Sequence, residues 1–185
     1  MQFNELGQPV IQLTQNHLNR AVEIVEAMAE TSKELKHKSG KYDLPNEMVY
    51  AESFKGVLGE LAVAEYFNYD LFYLGYDPKR SDVLGYQVRT TYWLDGNLLT
   101  HPVKTLTNPG GDNPGRYILV TIDQLTQQAT LRGYSTLARC NERKTNWNTK
   151  NRWPCFFMPQ NQLWPIDMLP ATDELLAFRQ VKAVA

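Results

Sequence analysis

Asp82-Val83-Leu84-Gly85-Tyr86-Gln87-Val88-Arg89 is the stretch whose reading decides the fold. Leu84-Gly85 suits a two-residue hairpin turn, which sets Val83 opposite Tyr86 and Asp82 opposite Gln87. Directly opposed residues share a sheet face, with Cβ atoms about 5 Å apart. Arg89, two residues past Gln87, joins that face by strand alternation, while Val83 and Val88 turn towards the other layer. One hairpin thus gathers an acid, an amide and a guanidinium. The polar outer face of an ordinary hairpin has the same pattern.

Working upstream, Leu18, Ala21, Val22, Val25, Met28 and Ala29 recur at the spacing of one helix face. Thr14 is a fitting N-cap, and Lys36, His37 and Lys38 followed by Gly40 make a stop signal. Pro45-Asn46 then opens a second helix running to about Phe67, with a stripe that includes Phe54, Val57, Leu58, Leu61 and Ala62. Downstream the pattern changes. Leu71–Leu74, Asp82–Leu84 and Tyr86–Trp93 are short segments rich in branched and aromatic residues. Asn108–Pro114 (NPGGDNP) reads as a loop. Tyr117–Ile122 (YILVTI) reads as a central strand buried on both faces, with Ala129–Tyr134 as its antiparallel neighbour. Asn141–Arg152 reads as irregular, Cys155–Met158 as a short strand, and Asp167–Arg179 as one or two short helices. The expectation is an α/β or α+β fold: two N-terminal helices before a mixed sheet, with helices flanking it.

The 185 residues suit a single domain, and 43% hydrophobic content can supply its core. Met1–Gln15 lacks the basic-then-apolar pattern of a signal, and no apolar run reaches membrane-span length, so the expected location is cytoplasmic, with no membrane partner. Cys140 and Cys155 form no CxxC or Cys/His cluster and read as reduced thiols. A net charge of −1 does not mark the whole molecule as a nucleic-acid binder, so any such attraction must be local. Arg139, Arg143, Lys144, Lys150 and Arg152, interleaved with Trp147 and Trp153, make one candidate patch. Cations for phosphates and indoles for stacking suit nucleic acid; a solvated loop with two packing tryptophans fits the same composition.

Glu60 stands in Gly56-Val57-Leu58-Gly59-Glu60-Leu61-Ala62, a helical stretch otherwise apolar or small. Each interior glycine costs a helix about 1 kcal/mol against alanine, which points to close backbone approach. A carboxylate beside a buried stripe needs a partner, either an arginine or a metal ion shared with Asp82. Other chemistries are poorly served. His17, His37 and His101 have no metal-site spacing, no Walker-type loop is present, and Ser81 lacks a nucleophile elbow.

Gly-x-x-Gly-Glu on a helix, then Asp before a hairpin, then a residue-x-basic strand resembles the PD-(D/E)xK nuclease superfamily. Glu60 matches the helix acid, Asp82 the aspartate, Gln87 the second acidic position and Arg89 the lysine. Gly85-Tyr86-Gln87-Val88-Arg89-Thr90-Thr91 further resembles a phage and bacterial subgroup with an E-V-R-T-T strand. Arg132-Gly133-Tyr134 and the run Met158–Leu169 are similar to that subgroup's later motifs, so the resemblance spans roughly residues 50 to 170. It implies a restriction-endonuclease-like mixed sheet, with residues 1–45 as an N-terminal helix, 46–170 as the nuclease-like core and 171–185 as a C-terminal helix or tail.

The resemblance also implies a Mg²⁺- or Mn²⁺-dependent DNA nuclease of a bacterium or phage-infected cell. Glu60, Asp82, Gln87 and the Val88 carbonyl are its expected metal ligands. Asp82, Gln87, Arg89 and Glu60 are its expected catalytic set, and the Arg139–Arg152 patch its DNA contact. Thr91, on the Gln87/Arg89 face, is either a phosphate contact or a structural threonine. The alternative is an inactive nuclease fold that binds nucleic acid or a protein partner. Many double-strand cutters use two copies of such a site, which is compatible with a homodimer, although no dimer signature is present. Two departures matter. Arginine does not lose its proton at ordinary pH, so Arg89 cannot be a general base. Gln87 offers an amide oxygen without charge, which weakens a hard-cation site.

Overall fold

The structure is a computed structural model that describes residues 2–34, 46–71, 81–101, 115–142 and 155–184. The main sheet has five strands in the order β1-β2-β6-β5-β3. These are β1 (Gln2–Phe3), β2 (Pro9–Gln12), β3 (Tyr86–Thr91), β5 (Arg116–Asp123) and β6 (Gln128–Thr136). β3 runs parallel to β5, and the other pairs are antiparallel. A second, two-stranded sheet pairs β4 (Leu98–Thr100) with β7 (Phe156–Met158). The helices are α1 (Gln15–Glu34), α2 (Asn46–Tyr66), α3 (Leu137–Glu142) and α4 (Asp173–Val184). A mixed α/β fold is what the sequence pattern predicts. Among the described residues no helix is long and apolar enough to cross a membrane.

Strand β5 behaves as its composition demands: Tyr117 to Ile122 are all buried, so apolar packing covers both sheet faces. On one face Val88, Ile118, Val120 and Leu131 form the main core with α1 and α2. On the other, Tyr117 and Leu119 pack with Leu98, Leu137, Phe156 and Met158 from β4, α3 and β7. α1 buries Ala21, Ile24 and Val25, so Ile24 takes the inward place expected of Val22 and Ala29. α2 is apolar on most sides from Val57 to Ala64 because it lies against both α1 and the sheet. His17 Nε2 meets Glu65 Oε2 at 2.7 Å and ties the two helices together. Thr14 Oγ1 lies 2.9 Å from His17 Nδ1 at the start of α1, which agrees with its expected place there.

Three departures from expectation are local. The helices do not open the chain, since β1 and β2 precede them and β2 pairs with the 128–130 part of β6. Asp82–Leu84 contributes one bridge residue, Val83, and no full strand. β3 ends at Thr91, and Thr91 Oγ1 accepts from Trp93 N–H at 3.1 Å to close that end. Thr91 therefore has a structural task. The expected strand residues 72–74, the stop around Gly40 and the loop 108–114 lie outside the described residues.

Past its pairing with β2, strand β6 is edged by the later segment. Tyr134 and Trp164 exchange both backbone hydrogen bonds, each at 2.9 Å. Gly133, at φ +141°, leaves room that a Cβ would deny to the Trp164 carbonyl. Arg132 binds three separate segments: it donates to Thr121 Oγ1 at 2.7 Å, Gln8 Oε1 at 3.1 Å and the Leu94 carbonyl at 3.2 Å. Gln160 Nε2 donates to that same carbonyl at 2.9 Å. The motif pieces around residues 132–134 and 158–169 thus meet in space.

Candidate active site

The Leu84-Gly85 turn forms as its residues require. Leu84 (φ +48°) and Gly85 (φ +83°) both occupy the left-handed region of a primed hairpin turn. Val83 and Tyr86 exchange hydrogen bonds of 3.1 and 2.9 Å, the expected pairing. Beyond it the ladder stops, because Asp82 N–H also turns onto the Tyr86 carbonyl, at 3.0 Å. The Asp82 side chain takes over the next place: Val88 N–H donates to Asp82 Oδ2 at 2.6 Å.

That bond locates the acid. Among the described residues β3 is an edge strand of the sheet, with β5 as its one neighbour. The Val88 N–H points to the free edge, where Asp82 meets it. Strand geometry sends the Val88 carbonyl to the same edge. Gln87 and Arg89 alternate onto the sheet face that carries Tyr117, and the Arg89 guanidinium lies 5.1 Å from the Tyr117 ring centroid. Glu60 approaches from α2, which packs on the opposite face.

The Glu60 carboxyl is buried and feels the charges of Asp82 and Arg89. Burial pushes the Glu60 carboxyl up from 4.5 to about 8. The Asp82 carboxylate adds to the rise, and the Arg89 guanidinium opposes it. The Glu60 charge thus feels an acid held at the sheet edge and an arginine on the far face of β3. Gln87 lies two residues from Arg89 on the same face and opposite Tyr117 in the β3–β5 register.

The turn that carries Asp82 is held from the far end of the chain. Thr172 Oγ1 donates to the Leu84 carbonyl and accepts from Leu175 N–H at 3.1 Å, so one hydroxyl caps α4 and braces the turn. Tyr86 Oη donates to the Pro170 carbonyl at 2.9 Å, and Gly85 N–H donates to Ser81 Oγ at 3.0 Å. These partners were missed in the sequence reading. The Thr-Asp-Glu run at 172–174 signals a helix cap, but nothing local tells which turn the cap will touch.

Of the predicted basic patch, Arg139 alone lies among the described residues. Its guanidinium stacks 4.1 Å from the Trp164 ring centroid, and Trp164 leans on Tyr134 at 5.3 Å. Arg139 is thus part of the packing of α3 on the 159–169 segment. Arg143, Lys144, Trp147, Lys150 and Arg152 lie outside the described residues.

Glu60, Asp82, the Val88 carbonyl and the Gln87 amide are oxygen donors of the hard type. Burial and the Asp82 charge both raise the proton affinity of Glu60, a rise that a nearby cation would oppose. Among the described residues no group of three or more His, Cys, Asp or Glu side chains is placed to hold a metal. Compared with known proteins, the chain matches no family model, no curated protein and no solved structure.

Proposed function

We propose that this chain is a metal-dependent DNA nuclease with a variant Asp-Gln-x-Arg site on a restriction-endonuclease-like fold. The observation that carries the reading is the Asp82 carboxylate hydrogen-bonded to the strand that bears Gln87 and Arg89, with the helix that bears Glu60 packed on that strand. The order of these residues along the chain is that of the PD-(D/E)xK pattern, and the mixed sheet with α1 and α2 on one face and α3 on the other is compatible with it.

Glu60, Asp82 and the Val88 carbonyl are the groups that would hold Mg²⁺ or Mn²⁺. Such an ion supplies Lewis-acid polarisation of a phosphodiester and a bound water of lowered pKa. Glu60 must give up its proton to serve as a ligand, and the raised proton affinity opposes this at neutral pH. Arg89 stays charged and balances negative charge developing on the phosphoryl oxygens. Gln87 presents a neutral amide that completes the oxygen set or orients water.

A second reading is favoured by the missing third acid: a nuclease scaffold that binds nucleic acid without cutting it. Plasmid and single-stranded DNA incubated with Mg²⁺ and then Mn²⁺ separate the two, alongside Asp82→Ala and Gln87→Glu proteins. Cleavage by the parent, lost in Asp82→Ala, establishes the nuclease. Cleavage only by Gln87→Glu establishes the inactive scaffold. Silence from every version, with no DNA binding, removes the nucleic-acid reading.

A further inference from the structure

The two glycines of α2 differ in what surrounds them. A Cβ built at Gly56 meets nothing within 4 Å. A Cβ built at Gly59 runs into Thr90 Oγ1 and comes to 3.0 Å from both Thr90 Cβ and Cγ2. Rotating Thr90 about χ1 can move Oγ1 but leaves its Cβ at 3.0 Å, tighter than an ordinary carbon–carbon contact. A methyl at 59 therefore needs both a new Thr90 rotamer and a small shift of α2 against β3. Gly59 is buried, so the contact is not at a yielding surface.

Thr90 carries a second oddity. Its Oγ1 is buried with no hydrogen-bond partner. Stability alone favours alanine at 59, since glycine costs a helix about 1 kcal/mol, and an apolar isostere at 90, since an orphaned buried hydroxyl also costs free energy. Both locally unfavourable choices fall on one contact. The chain neighbours of that contact are Glu60 on the helix and Arg89 on the strand. Local rules broken together beside a site indicate a positional demand there.

We infer that Gly59 and Thr90 are positioning residues: their contact sets the height of α2 over β3 and so brings the Glu60 carboxylate to Asp82 and Arg89. Neither touches substrate; each acts through its neighbour. The inference rests on the metal-site reading for its functional meaning, and its geometry can be tested apart from it.

The test compares the parent with Gly56→Ala, Gly59→Ala and the swap Gly59→Ala/Thr90→Gly, which moves the small residue from helix to strand. Mn²⁺ affinity is measured by calorimetry, folding by thermal unfolding, and the α2–β3 spacing by crystal structures. Gly56→Ala should raise Tm and keep the parent's affinity. Gly59→Ala should lose affinity by about 10-fold or more, the scale typical of supporting residues around a metal, and the swap should recover most of it. A folded Gly59→Ala that binds Mn²⁺ like the parent overturns the inference and leaves the metal site standing. If the parent itself binds no Mn²⁺, the metal reading fails, and the crystal structures decide: α2 and Glu60 unmoved in Gly59→Ala overturns the positioning role, and a lifted helix restored by the swap upholds it. Should Gly59→Ala not fold, the swap protein alone decides by whether α2 and Glu60 regain the parent's positions.

Discussion

Asp82 Oδ2 accepts the Val88 N–H at 2.6 Å, so the acid of the site is hydrogen-bonded to the strand that carries Gln87 and Arg89. A backbone pair would normally continue the hairpin at this place. The carboxylate takes its place at the edge of β3 away from β5. The bond also makes Asp82 a structural residue as well as a ligand candidate.

Substitution should therefore separate the two tasks. Asp82→Asn keeps an accepting oxygen and should remain near the parent's stability, while Asp82→Ala should lose about 1–2 kcal/mol, the value of a charge-assisted bond at a half-buried place. Both should lose metal-dependent cleavage. Urea unfolding beside a cleavage assay reads the split, and equal stability of the alanine protein and the parent would falsify the bond's role.

Glu60 gives the metal-free protein a pH dependence of definite sign. Its folded-state pKa, about 8, lies above the ordinary 4.5. Between those values the folded protein holds a proton that the unfolded chain has released, so stability falls as pH rises through that window. Glu60→Gln should flatten the slope. Added Mn²⁺ at pH 7 should raise Tm and release a proton, visible as a binding enthalpy that changes with the buffer's ionisation enthalpy. A parent and a Glu60→Gln protein with the same Tm-against-pH curve would rule out the raised pKa.

The brace on the turn predicts sensitivity far from the site in sequence. Thr172→Val removes both the α4 cap and the bond to Leu84, and should cost about 1–2 kcal/mol, as cap losses do. Thr172→Ser should restore it. Gly85→Ala should be at least as damaging, because the φ of +83° disfavours a side chain and its Cβ would press on Thr172. Chemical denaturation of the three proteins gives the order, and an undiminished Thr172→Val protein would show that the turn stands without its brace.

Two arginines should answer differently to lysine. Arg132 joins Thr121, Gln8 and Leu94 through three nitrogens, and lysine cannot reproduce that fork. Arg132→Lys should lower Tm with little change in cleavage at low temperature. Arg89→Lys should leave Tm close to the parent and alter the pH profile of cleavage, because a lysine can titrate where arginine does not. The reverse pattern in the two proteins would reassign their roles.

The elements that depend on near neighbours could be read directly from the chain. The start of α2 at Asn46, the Leu84-Gly85 turn with Val83 against Tyr86, the doubly buried β5 and its antiparallel partner β6 all rest on local periods of two or three-to-four residues and on turn chemistry. Glu60, Asp82, Gln87 and Arg89 stood out because polar groups interrupted those patterns. Ile24 is absent from the expected stripe, and Val22 and Ala29 stand in it, for a related reason: a helix stripe can shift while keeping its period.

Tertiary structure decided what joins residues far apart. The parallel seating of β3 on β5 leaves one edge of β3 free for Asp82, and no period in the sequence specifies which strand will be an edge. The use of residues 9–12 as a strand on β6 depends on a partner more than 110 residues away. Of two alike glycines, only Gly59 faces Thr90, and a Cβ at Gly56 meets nothing within 4 Å. Thr172 reaches back 88 positions to the turn at Leu84. Such contacts form when packed layers meet, and their cost and benefit exist only once the chain has closed on itself. The sequence by itself singled out Glu60, Asp82, Gln87 and Arg89 and the local elements they ride; the tertiary packing decided that the Asp82 carboxylate meets the Val88 N–H at the edge of β3 away from β5, with α2 laid against that strand.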